Sequence, residues 1–351
     1  MLKSFADVLD IYNGKNQKQV EDIDGVYPIY GSGGIMGYAN DYICPESTVI
    51  IGRKGSINKP IYVTSPLWNV DTAFGLVAKK DILNPKYLYY FCEYFDFERL
   101  NTTVTIPSLT KANLLKIRIK VPELNVQANI VERLDKVKYI IQKCQEELKL
   151  LDNLIKSRFV EMFGDPVKNP MKWKVCNLGE LSQQINSGNT PKGGEQVYVD
   201  EGIIFFRSQN VWKDRLEMND IAYIDEATHA RMIRSSLKHG DILMTKTGRI
   251  NTENSSLGRA ALYMGEDDAA NVNGHVYFIR LKPEVNKRFI LRILVSDEYR
   301  DYIRSVCVGG IDKRQLNKDH IEEFPIICPP NNMQKEYVDF VTQTTKLKLA
   351  G

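Results

Sequence analysis

The sequence predicts an α+β fold: two tandem mixed α/β domains separated by long coiled-coil helices, with an internal pseudo-two-fold repeat. Three observations predict it. The stretch Leu109-Thr-Lys111 through Pro122, Asn125, Gln127 and Val131 returns as Leu316-Asn-Lys318 through Pro329, Asn332, Gln334 and Val338, every matched pair 207 residues apart. Leu134, Ile141, Leu148 and Ile155 recur every seven residues, and Val137, Cys144 and Leu151 follow them three later, which is the a/d seam of a coiled coil. Each half also sets several short β-branched or aromatic runs before one helical segment.

Towards the N-terminus the repeat offset falls to 202 (Asn69/Asn271, Asn84/Asn286), to 193 (Gly55/Gly248) and to about 173 (Val8/Leu181), as expected of duplicated modules with loops of different length. A period this long means tandem domains and not a solenoid. The first domain is expected over residues 1–121, with strands at Val26–Tyr30, Thr48–Gly52, Ile61–Thr64 and Phe74–Ala78 and a helix from Pro85 to about Phe97. Pro122 suits the first turn of a helix, which is expected over 122–164 and stops at Gly164. At 1.5 Å per residue such a rod spans roughly 60 Å. Its predicted spacer core is Leu134, Val137, Ile141, Leu148, Leu151 and Ile155, with charged residues on the outer face.

Residues 165–173 read as a linker into a second domain, 174–328. Strands are expected there at Ile203–Phe206, Asp241–Met244, Arg259–Tyr263 and Val276–Ile279, followed by a helix from Lys287 to Ile303. A second spacer helix is expected over 329–351, truncated relative to the first because residue 351 lies opposite Cys144 in the repeat. A helix this short is marginal alone in water, so it is expected to lean on the first.

A chain of 351 residues, 43% hydrophobic and 26% charged, has room for two buried cores. It contains no apolar run long enough to span a bilayer, and Met1-Leu-Lys-Ser-Phe-Ala-Asp lacks the apolar core of a signal peptide, so a cytoplasmic location is expected. The six cysteines form no C-x-x-C pair and the four histidines show no ligand spacing, so no metal site is expected. A net charge of +3 neither demands nor excludes nucleic acid.

With its duplicated L-x-K…P-x-x-N-x-Q junction, this order of globe, helix, globe and helix resembles the specificity subunit of a type I restriction-modification system, over essentially the whole chain. The pieces that carry the resemblance include Ile106-Pro-Ser-Leu-Thr-Lys111, Met162-Phe-Gly-Asp-Pro166, Tyr30-Gly-Ser-Gly-Gly34, Ile51-Gly-Arg-Lys-Gly55, Phe206-Arg-Ser-Gln-Asn210 and Lys246-Thr-Gly-Arg249. The resemblance implies a non-catalytic reader of double-stranded DNA. Each globular target-recognition domain would read half of a bipartite site, with the helices packed antiparallel as a spacer. Modification (methyltransferase) subunits would dock on the helices and restriction (translocase/nuclease) subunits would join them. S-adenosylmethionine, ATP and Mg would then sit on those partners, with no cofactor on this chain. The short second helix departs from the family pattern, and pairing with a second copy or half-subunit would compensate.

Base edges are read by side-chain donors and acceptors, whereas Lys and Arg on phosphates position a protein without specifying sequence. The glycine-flanked basic turns Arg53-Lys54 and Lys246-Thr247-Gly248-Arg249 suit both roles, and Ser32 lies in the other glycine-rich turn of the first half. Asn69, Asp71, Asn271 and Asn273 offer amides and a carboxylate to bases, or equally to their own turns. Lys111 and Lys318 stand at equivalent globe-to-helix joints, as phosphate contacts or as junction lysines. Arg207, Ser208 and Asn210 belong to a run of hydrogen-bonding side chains after a strand. No catalytic constellation competes with binding. Glu147-Leu-Lys149 lies inside the heptads, where residues two apart diverge, and Gly31-Ser-Gly-Gly34 lacks the Gly-Lys-Ser/Thr of a phosphate loop. The rival reading is a coiled-coil scaffold whose globular ends bind proteins and no DNA.

Overall fold

Each half of the chain ties its first strand to the strand that leads into its helix. In the computed structural model, which describes residues 1–100, 108–250, 252 and 254–350, Leu2–Ser4 runs antiparallel to Arg118–Lys120. In the second half Val175–Asn177 does the same with Pro325–Ile327. A capping box follows each first strand, Ser4 with Asp7 and Asn177 with Glu180, and opens a single helical turn. The chain divides into two compact units, Met1–Gln145 and Glu146–Gly351, so the boundary falls inside the long helix and not on either side of it.

Both units contain a four-stranded antiparallel sheet of the same order. In the first it runs Leu9–Asn13, Ala73–Ala78, Thr48–Gly52, Ile61–Val63. In the second it runs Ser182–Ser187, Val276–Leu281, Ile242–Thr245, Ala260–Leu262. The apolar run Thr48-Val-Ile-Ile-Gly52 is continuous because the strand is buried on both faces. Val49 and Ile51 pack with Phe5, Leu88 and Leu114, while Ile50 turns to Cys44 and Leu67. Ile242 and Met244 likewise face Phe289 and Ile293, and Leu243 faces Phe206 and Val272.

A smaller sheet built around one parallel strand pair lies in each unit. Tyr27–Gly31 pairs in parallel with Trp68–Asn69, and Ile203–Phe206 pairs in parallel with Ala270–Val272. These pairings bring together strands far apart in sequence, which local patterning does not reveal.

Asn84 caps the helix Pro85–Tyr94 by accepting from the amides of Lys86 and Tyr87, and Leu88 and Cys92 face the core. The single helix expected over Lys287–Ile303 is in fact two, Lys287–Leu294 and Asp297–Val306. Val295 leaves helical geometry, and the Ser296 hydroxyl caps the restart on the Tyr299 amide.

The long helix covers Leu124–Phe163, 40 residues. The repeated glutamine locks the start of each helix: buried Gln127 donates to the carbonyls of Pro122 and Ile82 and accepts from the Asn84 amide. Gln334 donates to Pro329 in the same way. In the first unit Asp135 receives Lys86 Nζ at 2.7 Å and the Tyr90 hydroxyl at 2.6 Å, and Lys138 pairs with Glu93. At the other end, in the second unit, Ile155, Phe159, Met162 and Phe163 enter the core beside Phe289 and Tyr337. The helix stops at Gly164 (φ 76°), where an added Cβ would lie 2.8 Å from Pro170 Cγ.

The expected linker is a folded turn. Asn169 accepts from the Trp173 amide and donates to its carbonyl, and the Trp173 indole donates to Phe163 O at 3.0 Å.

The C-terminal helix, Asn331–Ala350, runs antiparallel along the last part of the long one, with ion pairs Arg158–Glu336 and Lys348–Asp152 and the Tyr337 hydroxyl on Ile155 O. This corrects the heptad expectation. Ile155 is buried and Leu151 half-buried, but Leu134, Val137, Ile141 and Leu148 are exposed, by 38 to 52%. The C-terminal helix packs on the last part of the long one, from Asp152 onward, and the exposed positions precede that contact in the chain.

The six cysteines are free thiols, and burial pushes that of Cys44 up to about 12. No helix among the described residues is long and apolar enough to cross a membrane.

Phe159 contacts the rings of Phe163, Phe289 and Tyr337, so Phe159→Ala should remove about 3 to 5 kcal/mol from the second unit. Urea unfolding with unchanged stability would contradict that packing. Asp297 accepts from Lys156 and Lys213, which hold its carboxyl down at about 2. A carboxyl depressed on folding stabilises above its unfolded value, and that contribution is lost as pH falls towards about 2. Asp297→Asn should therefore lower the melting temperature at pH 7 and cease to matter near pH 2. The contribution is small because the pair is largely exposed.

Candidate nucleic-acid interface

Asn69 and Asn271 occupy the same place in the two units, on the strand that pairs in parallel within the small sheet. Both are fully buried. Asn69 donates to Ala73 O at 3.1 Å and Tyr12 O at 3.4 Å and accepts from the Cys44 thiol. Asn271 donates to Met232 O and Ser235 Oγ and holds a short hydrogen bond with His229 Nδ1. Their amides have no free edge for a base, which corrects their assignment as readers: Asn69 ties the small sheet to the four-stranded one, and Asn271 ties its sheet to the segment from His229 to Ser235. Asn273 turns its side chain back to the His275 amide.

The Arg207–Asn210 turn is likewise occupied internally. Asn210 is fully buried, accepting from the Arg207 amide and donating to Glu217 O. The Arg207 guanidinium bonds Asp220 and lies 5.8 Å from the Tyr198 ring centroid. Ser208, half-buried, sits in the short 3-10 turn between them.

The basic turns do reach the surface. In the first unit the exposed residues Arg53 and Lys54 follow the central strand directly, and the Arg53 amide donates to Thr72 O beside exposed Asp71. Ser32 stands against the same turn, its Cβ 3.1 Å from where a Cβ on Gly52 would lie. Lys54 bridges to Ser108, the first described residue of a stretch whose members 101–107, including Ile106 and Pro107, lie outside the described residues. Lys111 crosses to the edge strand and donates to Ile11 O at 2.7 Å.

The second unit repeats the ladder more fully. Thr247–Arg249 pairs antiparallel with Lys313–Gln315, placing Thr247 opposite Gln315 as Lys54 is opposite Ser108. Arg249 is exposed and pairs with Asp312 at 3.2 Å. Lys246, just before the strand, lies 5.6 Å from the centroid of the Tyr277 ring. The Tyr277 hydroxyl donates to Leu316 O, and burial, helped by the charge of Asp319, raises its pKa above the ordinary phenol value.

Around Tyr277 runs a groove that the sequence pattern does not announce. Asn186, Ser187, Asn189, Arg234, Tyr277 and Lys318 line its centre. At one end it continues along the edge strand between Ser182–Asn186 and the Lys318–Glu322 turn. At the other it passes Asn189, Thr190, Lys192, Thr228 and Arg231. Lys318 lines this groove with Tyr277, and Lys246, from a separate motif, lies against the ring of the same tyrosine.

The signal that could have found the groove is the polar run Ser182-Gln-Gln-Ile-Asn-Ser-Gly-Asn-Thr190, in which only Ile185 is a large apolar side chain. Ile185 faces the core, as an edge strand with one wet face requires. Amides and hydroxyls along the floor with cations at the walls can meet base edges and phosphates together. Among the described residues no cluster of His, Cys, Asp and Glu could hold a metal ion.

Comparisons with known proteins agree with this architecture. The chain is 25% identical over 357 residues to a putative type I restriction enzyme specificity subunit of Haemophilus influenzae, covering 97% of this chain and 86% of that protein. It is 23% identical over 326 residues to the StySPI specificity subunit of Salmonella potsdam, covering 86% and 68%. Among solved structures it shares its fold with the type I restriction-modification S subunit of M. genitalium, at a TM-score of 0.60 and 14% identity over 99% of this chain and 90% of that one. A chain from a study of complex assembly and conformational transition of the type I system gives 0.56 and 14%, over 100% and 91%. The family described as type I restriction modification DNA specificity domain matches residues 1–150 and again 170–350, and the chain belongs to that family.

Proposed function

We propose that this specificity subunit reads a bipartite site in double-stranded DNA, one half-site per globular unit, and catalyses nothing itself. The observation that carries the reading is a groove lined by Lys318 and Arg234 together with Asn186, Ser187 and Asn189, with Lys246 behind it against the ring of Tyr277. Cations there hold phosphates and fix register, while the amides and hydroxyls choose among bases. In the first unit Ser32, Arg53, Lys54 and Asp71 are the corresponding surface, with Lys111 at the joint. The long helix sets the separation of the half-sites and carries the docked modification subunits; restriction subunits join that assembly. S-adenosylmethionine, ATP and Mg serve those partners, and the complex works in the cytoplasm. The exposed heptad residues Leu134, Val137, Ile141 and Leu148 fit a helix face awaiting cover, from a modification subunit or from a second copy or half-subunit.

Two experiments test this. Lys318→Ala and Arg249→Ala should each weaken binding of the selected duplex and reduce the slope of log affinity against log salt by about 1, as expected when one phosphate is no longer neutralised. Unchanged affinity and slope would take both residues out of the interface, and a chain that binds no duplex would leave the protein-binding scaffold as the reading. Inserting four residues near Leu148 should change the spacer length of the methylated site in cells and leave its half-sites intact. Methylation of the original site at full efficiency would refute the helix as a ruler.

A further inference from the structure

The hairpin between Val308–Gly309 and Lys313–Gln315 carries an isoleucine that the fold does not use. Ile311, at its tip, is 89% exposed. A large apolar side chain on a slack loop would fold back onto the surface, because leaving it in water forgoes the hydrophobic gain. Here the loop is held out. The Arg314 guanidinium donates to Gly310 O at 3.0 Å and Cys307 O at 3.3 Å, and the Ile250 amide donates to Asp312 O. Arg249 pairs with the Asp312 side chain from the neighbouring strand, and Gly309, at φ 131°, takes a backbone shape that only glycine adopts freely. Lys313 stands exposed beside the tip. The strand carrying Arg249 begins next to Lys246, whose ammonium lies 5.6 Å from the ring centroid of Tyr277, the tyrosine that lines the groove.

We propose that Ile311 is an apolar wedge that enters between adjacent base pairs of the duplex held in this groove, with Lys313 and Arg249 on the flanking phosphates. The proposal rests on the DNA reading above. Apolar side chains inserted at a base step unstack and kink the duplex, and the deformation is least costly at flexible pyrimidine–purine steps. Ile311 is thus a specificity-determining residue: it selects a deformable step without any hydrogen bond to a base.

The test uses the full-length chain and duplexes enriched by it from a random-sequence pool, with 2-aminopurine replacing adenine at successive positions. Binding should raise the fluorescence at one step, which the selected sequences should show as pyrimidine–purine. Ile311→Ala should abolish the rise and weaken binding by up to about sixtyfold, the loss expected for the three methyl and methylene groups removed. Ile311→Leu should keep both. Lys313→Ala should weaken binding and lower its salt dependence while keeping the rise. Binding without any fluorescence rise, or a rise and affinity unaltered in Ile311→Ala, would overturn the wedge and leave the DNA reading intact. Failure of the chain to enrich or bind any duplex would overturn both.

Discussion

The basic turns of each unit are positioned by one strand that has no wet face. Thr48–Gly52 and Ile242–Thr245 are buried on both sides, between a helical layer and a smaller sheet. Such a strand cannot slip by one residue, because the side chains of its two faces would exchange into cores of different shape. The basic turns follow these strands without a gap. Rigidity of the core is therefore passed directly to Arg53 and Lys54, and to Lys246 and Arg249, which long side chains on an independent loop would lack.

The parts of the fold legible in sequence are those with local causes. Double-sided burial writes itself as an unbroken apolar run, hence Thr48–Gly52 and Ile203–Phe206 are legible at their observed bounds. Helix ends are readable from Pro85 and Gly164 for the same reason. The small sheets are not, since a two-residue strand such as Trp68–Asn69 leaves no period and its parallel partner is remote. Of the heptad seam only Ile155 is buried and Leu151 half-buried, because periodicity says which face of a helix is apolar and nothing about what covers it.

The candidate site shows the same division. Repetition points to Asn69 and Asn271, but what the two units share most closely is internal scaffolding: buried amides that fasten strands, and the glutamines that fasten helix starts. Residues that face a ligand in two modules with different targets have no reason to match. Lys246, Lys318 and Arg249 are visible because charge beside glycine, or at a repeated joint, is conspicuous. Asn186, Asn189 and Tyr277 are not, because a polar edge strand and a buried phenol look ordinary until the strand Val276–Leu281 brings them to one groove.

The turn after the long helix also makes the molecule its own optical gauge. The Trp173 indole is fixed to the last carbonyl of that helix and partly shielded by the core of the second unit. Should the helix end fray, the ring loses this bond and meets water. Red-shifted emission from that chromophore would then report loosening at the joint before the sheets have opened.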